Sequence, residues 1–402
     1  MYLSREEEKI LDGEMGEWKR KAMQILVALG DVLGAERLIP IRSAHVSGVS
    51  YKTLGDEPIR FLEDLSRLGA RSQVDSTLNP CGFDLSRPDE MGTPMSVREP
   101  QLRIVRAYES MGIDPVLTCT PYYLRSRKVG EHLAWAESSA IVYSNSVLGC
   151  RTNREGAPSS LASALIGKTP LYGLHLPENR LPEVHVRVNL AQLERHRYGA
   201  LGLLVGRSVA DAIPLISGLS HPHPDDLKAA GAGMAASGMV TMFHVDKITP
   251  ECRNGIEWRE GKPADRIEID ERDLDKQVEE LDSAGEPDLA FFGCPHCSVQ
   301  EIQEVSKLLA GRKVSKGKRL WVCTSRHVLA DPRVSKHVSA IEAAGGRVFA
   351  DTCVVVTWLR EMGVEMVITN SAKAATYIPS FCSTGVRLAS TSEAVLSVCE
   401  KP

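Results

Sequence analysis

Three cysteines stand where loops leave strand-like runs. Cys119 follows Pro115-Val116-Leu117-Thr118, Cys294 follows Leu289-Ala290-Phe291-Phe292-Gly293, and Cys353 follows the β-prone residues 347–349. Asn370, Ser371 and Lys373 follow a fourth such run, Met366-Val367-Ile368. In open α/β sheets, ligands collect at the carboxyl ends of strands, where several loops converge. Three thiolates from three loops suit an iron–sulfur cluster with one iron left open, and such an iron can bind a substrate hydroxyl and carboxylate as a Lewis acid. Spacing alone favours the plainer reading, three small buried residues near strand ends.

Cys294-Pro295-His296-Cys297 supports a rival. A C-x-x-C between a strand and a helix is the dithiol arrangement of thioredoxin-like thiol-disulfide oxidoreductases, in which the helix N-terminus lowers the first thiol's pKa. Such domains carry the motif early, whereas here a long stretch of a different βα pattern follows. Zinc has no second C-x-x-C or H-x-x-x-H at finger spacing. Ser298, rather than histidine, follows Cys297 and excludes c-type haem attachment.

The densest polar stretch runs over 137–156 and holds Asn145, Ser146, Asn153 and Arg154. Asparagine with arginine suits carboxylate or phosphate, arginine by its planar fork; a solvated loop with caps has the same composition. Residues 43–50, with His45 and Ser47, either set backbone N–H groups around an anion or make a tight turn. Gly167-Lys168-Thr169 lacks the first glycine of a P-loop, since Ala162 stands in its place. The run from His221 to Asp226 reads more simply as a turn and helix cap than as a metal site.

These residues need elements to hold them. Ser4-Arg5-Glu6-Glu7 has capping-box form and predicts a helix at once. Apolar spacing predicts helices over 59–68 and 97–111, and strands at 38–41, 72–74, 114–118, 184–188 and 200–205. In the last third, strands at 288–292, 319–322, 347–349 and 365–368, with β-prone 354–356, alternate with helices over 299–309, 332–344 and from 371. The alternation argues for an α/β chain with mostly parallel βα units, divided as 1–125, 126–286 and 287–402.

The length of 402 residues allows two or three domains, and a 43% hydrophobic, 25% charged composition is that of an ordinary folded chain. A net charge of −4 without a long basic run argues against nucleic acid or a membrane surface as the main partner. No apolar stretch approaches the roughly 18–20 residues of a membrane span. The polar, acidic start is neither a signal nor a transit peptide, so a cytoplasmic setting is expected. There, ten scattered cysteines do not imply disulfides.

Taken together, SAHVSGVSYKTLG (43–55), TCTPY (118–122), YSNSVLGCRTNREG (143–156), GCPH (293–296), DTCVV (351–355) and NSAKAATY (370–377) resemble the large subunit of the aconitase X family. That family belongs to the aconitase superfamily of iron–sulfur hydro-lyases. The resemblance spreads over most of the chain and is weakest over 220–285. It implies an aconitase-like multidomain α/β large subunit with its cluster at a domain interface. It carries Cys119, Cys294 and Cys353 over as cluster ligands, with 4Fe–4S expected and 2Fe–2S or mononuclear iron as alternatives. The close C-x-x-C ligand pair of ordinary aconitase is missing from this set, and Cys297 falls outside it. Some members resemble dehydratases of cis-3-hydroxy-L-proline, often one longer chain with a small domain fused. Archaeal two-subunit members resemble the enzyme that dehydrates (R)-5-phosphomevalonate to trans-anhydromevalonate 5-phosphate in a modified mevalonate pathway. With no small domain before Pro402, the resemblance implies the archaeal type, inactive until a small-subunit partner supplies the serine that removes the C2 proton. Lys373, His296 and Ser371 are the expected catalytic residues. His45, Ser47, Asn145, Ser146, Asn153, Arg154 and Asn370 are expected to bind the small-molecule substrate, with Arg154 and Lys373 at its anionic ends.

Overall fold

The computed structural model describes residues 1–190, 193–259 and 265–400. The helix Arg5–Leu11 starts at the expected capping box: Glu7 N–H donates to Ser4 Oγ, and Ser4 N–H donates to the Glu7 carboxylate. The first unit holds β1 (Leu38–Pro40), β2 (Ser43–Val46), β3 (Asp75–Leu78), β4 (Leu133–Trp135) and β5 (Lys168–Pro170). Parallel β3 and β4 flank β2, and β1 pairs antiparallel with β5. This sheet joins residues from both sides of position 125, the first expected division. Helices Glu17–Val32, Met95–Ser110 and Ala157–Ile166 bury Met23, Leu26, Ile104 and Leu161 against it.

The second unit is a parallel sheet of β6 (Val184–Val188), β7 (Pro214–Ser217), β8 (His244–Val245) and β9 (Asp265–Ile269), in the order β8-β7-β6-β9. The third is a five-stranded parallel sheet of β10 (Leu289–Phe292), β11 (Arg319–Cys323), β12 (Arg347–Phe349), β13 (Met366–Thr369) and β14 (Gly385–Leu388), in the order β12-β11-β10-β13-β14. Its central β10 is Leu-Ala-Phe-Phe, buried at every position, as a parallel strand covered on both faces must be. Lys401 and Pro402 lie outside the described residues.

Several expected strands are something else. Residues 200–205 lie within the helix Arg195–Val209. A short, wholly apolar run has the same signature in a buried strand and in a buried helix, and here the flanking glycines belong to a helix crossing. The strand expected at 72–74 begins at Asp75. Residues 114–118 contribute a single bridge, Asp114 to Thr77, rather than a strand. Residues 354–356 form a 3-10 turn instead of extending β12. Among the described residues, no helix is long and apolar enough to cross a membrane.

The helix Arg195–Val209 packs backbone to backbone on Pro224–Ser237. A Cβ added at Gly202 would stand 2.1 Å from the Ala230 carbonyl oxygen, and one at Gly233 would stand 2.3 Å from that of Gly199. Helix propensity alone would make Gly202→Ala stabilising by about 1 kcal/mol. The overpacking reverses the sign: Gly202→Ala is expected to lower unfolding stability by about 1–3 kcal/mol, read from the urea midpoint.

Candidate active site

The five-stranded sheet reverses its order of growth at β10, with β11 and β12 added on one side and β13 and β14 on the other. The loops after β10 and β13 therefore part, and leave a crevice at their carboxyl ends. Cys294 lies in the first loop, and Asn370 and Ser371 in the second. Ser371 caps the helix Ala372–Cys382, accepting from Ala374 N–H, and its hydroxyl donates to the Cys294 carbonyl, which latches the two loops together. Cys353 follows β12. Cys119 comes from the first unit, just after Thr118 donates its N–H to the Leu78 carbonyl at the end of β3. All three cysteines line one cleft of about 400 Å³, together with Ser47, Asn79, Glu137, Ser138, Arg154 and Lys373.

Each cysteine is preceded, one or two residues earlier, by backbone in the left-handed region: Leu117 at φ 51°, Gly293 at 122° and Asp351 at 65°. A Cβ at Gly293 would lie 2.3 Å from the Cys323 carbonyl oxygen, so glycine alone fits. At the other two positions the conformation costs about 1–2 kcal/mol each and needs an external hold. Asp351 has one: its buried carboxylate takes Arg326 Nε at 2.8 Å and Leu85 N–H at 3.3 Å, and its carbonyl takes Cys81 N–H at 2.8 Å.

His296 joins the three loops. Its N–H donates to Cys119 Sγ at 3.1 Å, and Nε2 donates to the Thr352 carbonyl at 2.8 Å, so Nδ1 accepts from the Thr118 hydroxyl at 3.1 Å. Burial lowers its pKa to about 4, which keeps the ring neutral as this pattern requires. Both ring nitrogens are engaged, and His296 stands behind the cleft rather than on its wall. Ser371 likewise spends its hydroxyl on the loop latch.

Lys373 pairs with Glu137 and donates to Ser138 Oγ at 3.1 Å. Burial disfavours both charges, but each outweighs it for the other: Lys373 is held above the usual lysine range and Glu137 below the usual carboxylate range. The neighbouring Cys353 thiol lowers the Cys294 thiol, while Cys294 and burial together raise that of Cys353. Burial pushes Glu155, also on the cleft wall, upward. Beneath the floor, His45 Nδ1 meets Thr77 Oγ1 at 2.8 Å, while His45 Nε2 and Asn79 Oδ1 are buried without a partner.

The remaining expected residues are occupied elsewhere. The Asn145 amide donates to the carbonyls of Thr152 and Thr241 and accepts from Thr152 N–H. Ser146 Oγ accepts from Phe243 N–H, and Asn153 bridges the Tyr172 carbonyl and Leu174 N–H. These three brace the loops behind the cleft and do not line it. Asn370 donates to Thr391 and borders a smaller cavity behind Cys294. Cys297 packs with Ile302, Val322 and Val328, its thiol pushed up by burial, and does not reach the cleft. Glu137 was not among the expected site residues; its local signal is only that of a helix cap, which it also is, accepting from Ala140 N–H.

The donor set suits iron. Three soft sulfur ligands from three loops face one cleft, unbridged by disulfides, beside two cations. Among the described residues, no three His, Cys, Asp or Glu side chains gather closely enough to hold a single ion.

Comparison with known proteins identifies the family and the fold. Family models of the aconitase X first, second and third domains match residues 1–178, 182–279 and 287–400. The chain is 47% identical to the phosphomevalonate dehydratase large subunit of Methanothermobacter thermautotrophicus, over 95% of each chain. It is 38% identical to the cis-3-hydroxy-L-proline dehydratase of Pseudomonas aeruginosa, over 95% of this chain and 67% of that one. Its fold matches the crystal structure of Thermococcus kodakaraensis aconitase X in its holo-form with a TM-score of 0.91 at 40% identity, covering 98% of this chain and 99% of the other. The chain belongs to the aconitase X family.

Proposed function

We propose that this chain is the large subunit of a hydro-lyase that dehydrates (R)-5-phosphomevalonate to trans-anhydromevalonate 5-phosphate, with a small subunit closing over the cleft. The convergence of Cys119, Cys294 and Cys353 with Arg154 and Lys373 on one cleft carries this reading. Near full-length similarity to an archaeal phosphomevalonate dehydratase large subunit supports it, against 67% coverage of the longer hydroxyproline enzyme. The three thiolates would hold a 4Fe–4S cluster between the first and third units. Bound there, the cluster supplies a Lewis-acidic iron for the departing 3-hydroxyl.

The cleft's charges choose between the substrates. Arg154 is exposed and, among the described residues, makes one long 3.4 Å hydrogen bond, to the Ala235 carbonyl, which suits its fork to a carboxylate or phosphate. Lys373 gives two of its three N–H donors to Glu137 and Ser138 and has one left for the cleft. A ring ammonium would need a free carboxylate, but Glu137 is committed to Lys373, and burial favours the neutral form of Glu155. An anionic, open-chain substrate meets no such conflict. The substrate carboxylate acidifies the C2 hydrogen, and a base must remove it. By the resemblance to aconitase-like enzymes, that base is a serine of the small subunit.

Two measurements test this. Anaerobically purified protein should be brown, and Cys119→Ser, Cys294→Ser and Cys353→Ser should each bleach it while Cys297→Ser does not; bleaching by Cys297→Ser with colour retained in Cys353→Ser would overturn the ligand set. The two-subunit complex should turn over 5-phosphomevalonate in preference to cis-3-hydroxy-L-proline. There, Arg154→Ala should raise KM by about 10-fold, the worth of one charge-assisted hydrogen bond, with colour unchanged. Turnover of hydroxyproline alone would overturn the substrate assignment.

A further inference from the structure

Lysine is rarely fully buried, and when it is, its partners explain why. Lys228, 3% exposed, sits one turn after Asp225, also 3% exposed, on the helix Pro224–Ser237 of the second unit. Neither lines the cleft. Lys228 Nζ donates to the backbone carbonyl of His296 at 3.2 Å and pairs with Glu301. Asp225 accepts from the Tyr123 hydroxyl at 2.9 Å through one oxygen and from Ser298 Oγ at 2.7 Å through the other. Lys228 Nζ also approaches the first of these oxygens at 3.4 Å and lies 5.6 Å from the centre of the Tyr123 ring.

These contacts have a common feature. Tyr123 follows Cys119 in the same short segment, and His296 and Ser298 follow Cys294 in theirs. A single helical turn therefore grips both cysteine segments, one from the first unit and one from the third, from the side away from the cleft. The His296 residue whose carbonyl Lys228 holds is the one whose N–H reaches Cys119 Sγ. Behind Cys294, Lys228 and Lys373 both border a cavity of about 20 Å³, large enough for one water.

We propose that Asp225 and Lys228 are positioning residues that fix the separation of Cys119 and Cys294 and thereby set how firmly iron is held. The inference rests on the iron–sulfur reading given above. Neither residue touches substrate. Their effect passes through the Tyr123 hydroxyl and the His296 carbonyl, in the way outer partners of metal ligands govern affinity.

The test uses the anaerobically purified two-subunit complex carrying Lys228→Met, Asp225→Asn or Tyr123→Phe. The last removes one oxygen and preserves the ring. Iron release to an added chelator, the electron paramagnetic resonance spectrum of the reduced protein and the thermal midpoint are recorded for each. Release should accelerate by about 10-fold, the usual effect of losing an outer partner, and the spectrum should shift, in variants whose complex remains assembled. If Lys228→Met fails to fold, Tyr123→Phe and Asp225→Asn decide. Unchanged release and spectrum in folded variants, even with a lowered thermal midpoint, would reduce the pair to a structural bridge and overturn the proposal. Unmodified protein that holds no iron would instead overturn the cofactor reading, and this inference with it.

Discussion

The site depends on one neutral, buried imidazole. His296 reaches the Thr118 and Thr352 segments through its ring and Cys119 through its backbone N–H, while lying two residues from Cys294. A ring in this position must donate at one nitrogen and accept at the other. Burial enforces that state by disfavouring the charged form. An imidazolium would turn Nδ1 into a donor, and the Thr118 hydroxyl would then have to accept from it rather than donate. The cysteine loops thus meet through hydrogen bonds of fixed polarity and direction, a tighter constraint than apolar contact alone supplies.

Around that tie the backbone is held away from its preferred state. Leu117, Gly293 and Asp351 each turn the chain just before a cysteine. Only Gly293 does so without strain. The Arg326–Asp351 pair and the contacts of Asp84 with Arg326 and Ala350 N–H over-determine the Cys353 loop. The strain is local, and Cys81, Asp84 and Leu85 of the first unit share in restraining it, so the geometry of the Cys353 loop depends in part on how the units dock.

The sequence was legible where periodicity and position coincide. The βα alternation of the last third, the strand ends carrying Cys294 and Ser371, and the capping box at Ser4 all appear as read. It was least legible for short apolar runs, where 200–205 passes for a strand because buried helices and strands share that pattern. Polar residues were harder still. Asn145 and Asn153 resemble ligands by type, yet their amides saturate backbone groups, a role fixed by partners far away in the chain. Glu137 shows the reverse: a cap by local pattern, it meets Lys373 only after folding. Residue type indicates what a side chain can do, and burial decides what remains free to do it.

The wide separation of the three cysteine loops along the chain has a consequence for how the protein matures. An unfolded chain offers iron no compact motif that joins these three thiols, since closing loops of that length costs entropy before all three ligand bonds form. In a zinc finger the metal itself meets that cost, and the apo form is unfolded. Here hydrophobic cores and hydrogen-bonded ties between the loops help to bring the three cysteines to one cleft. Under the iron–sulfur reading proposed above, metal affinity then depends on how firmly the units dock. On that reading, a substitution remote from the cleft that loosens the docking should release iron well before it unfolds the chain.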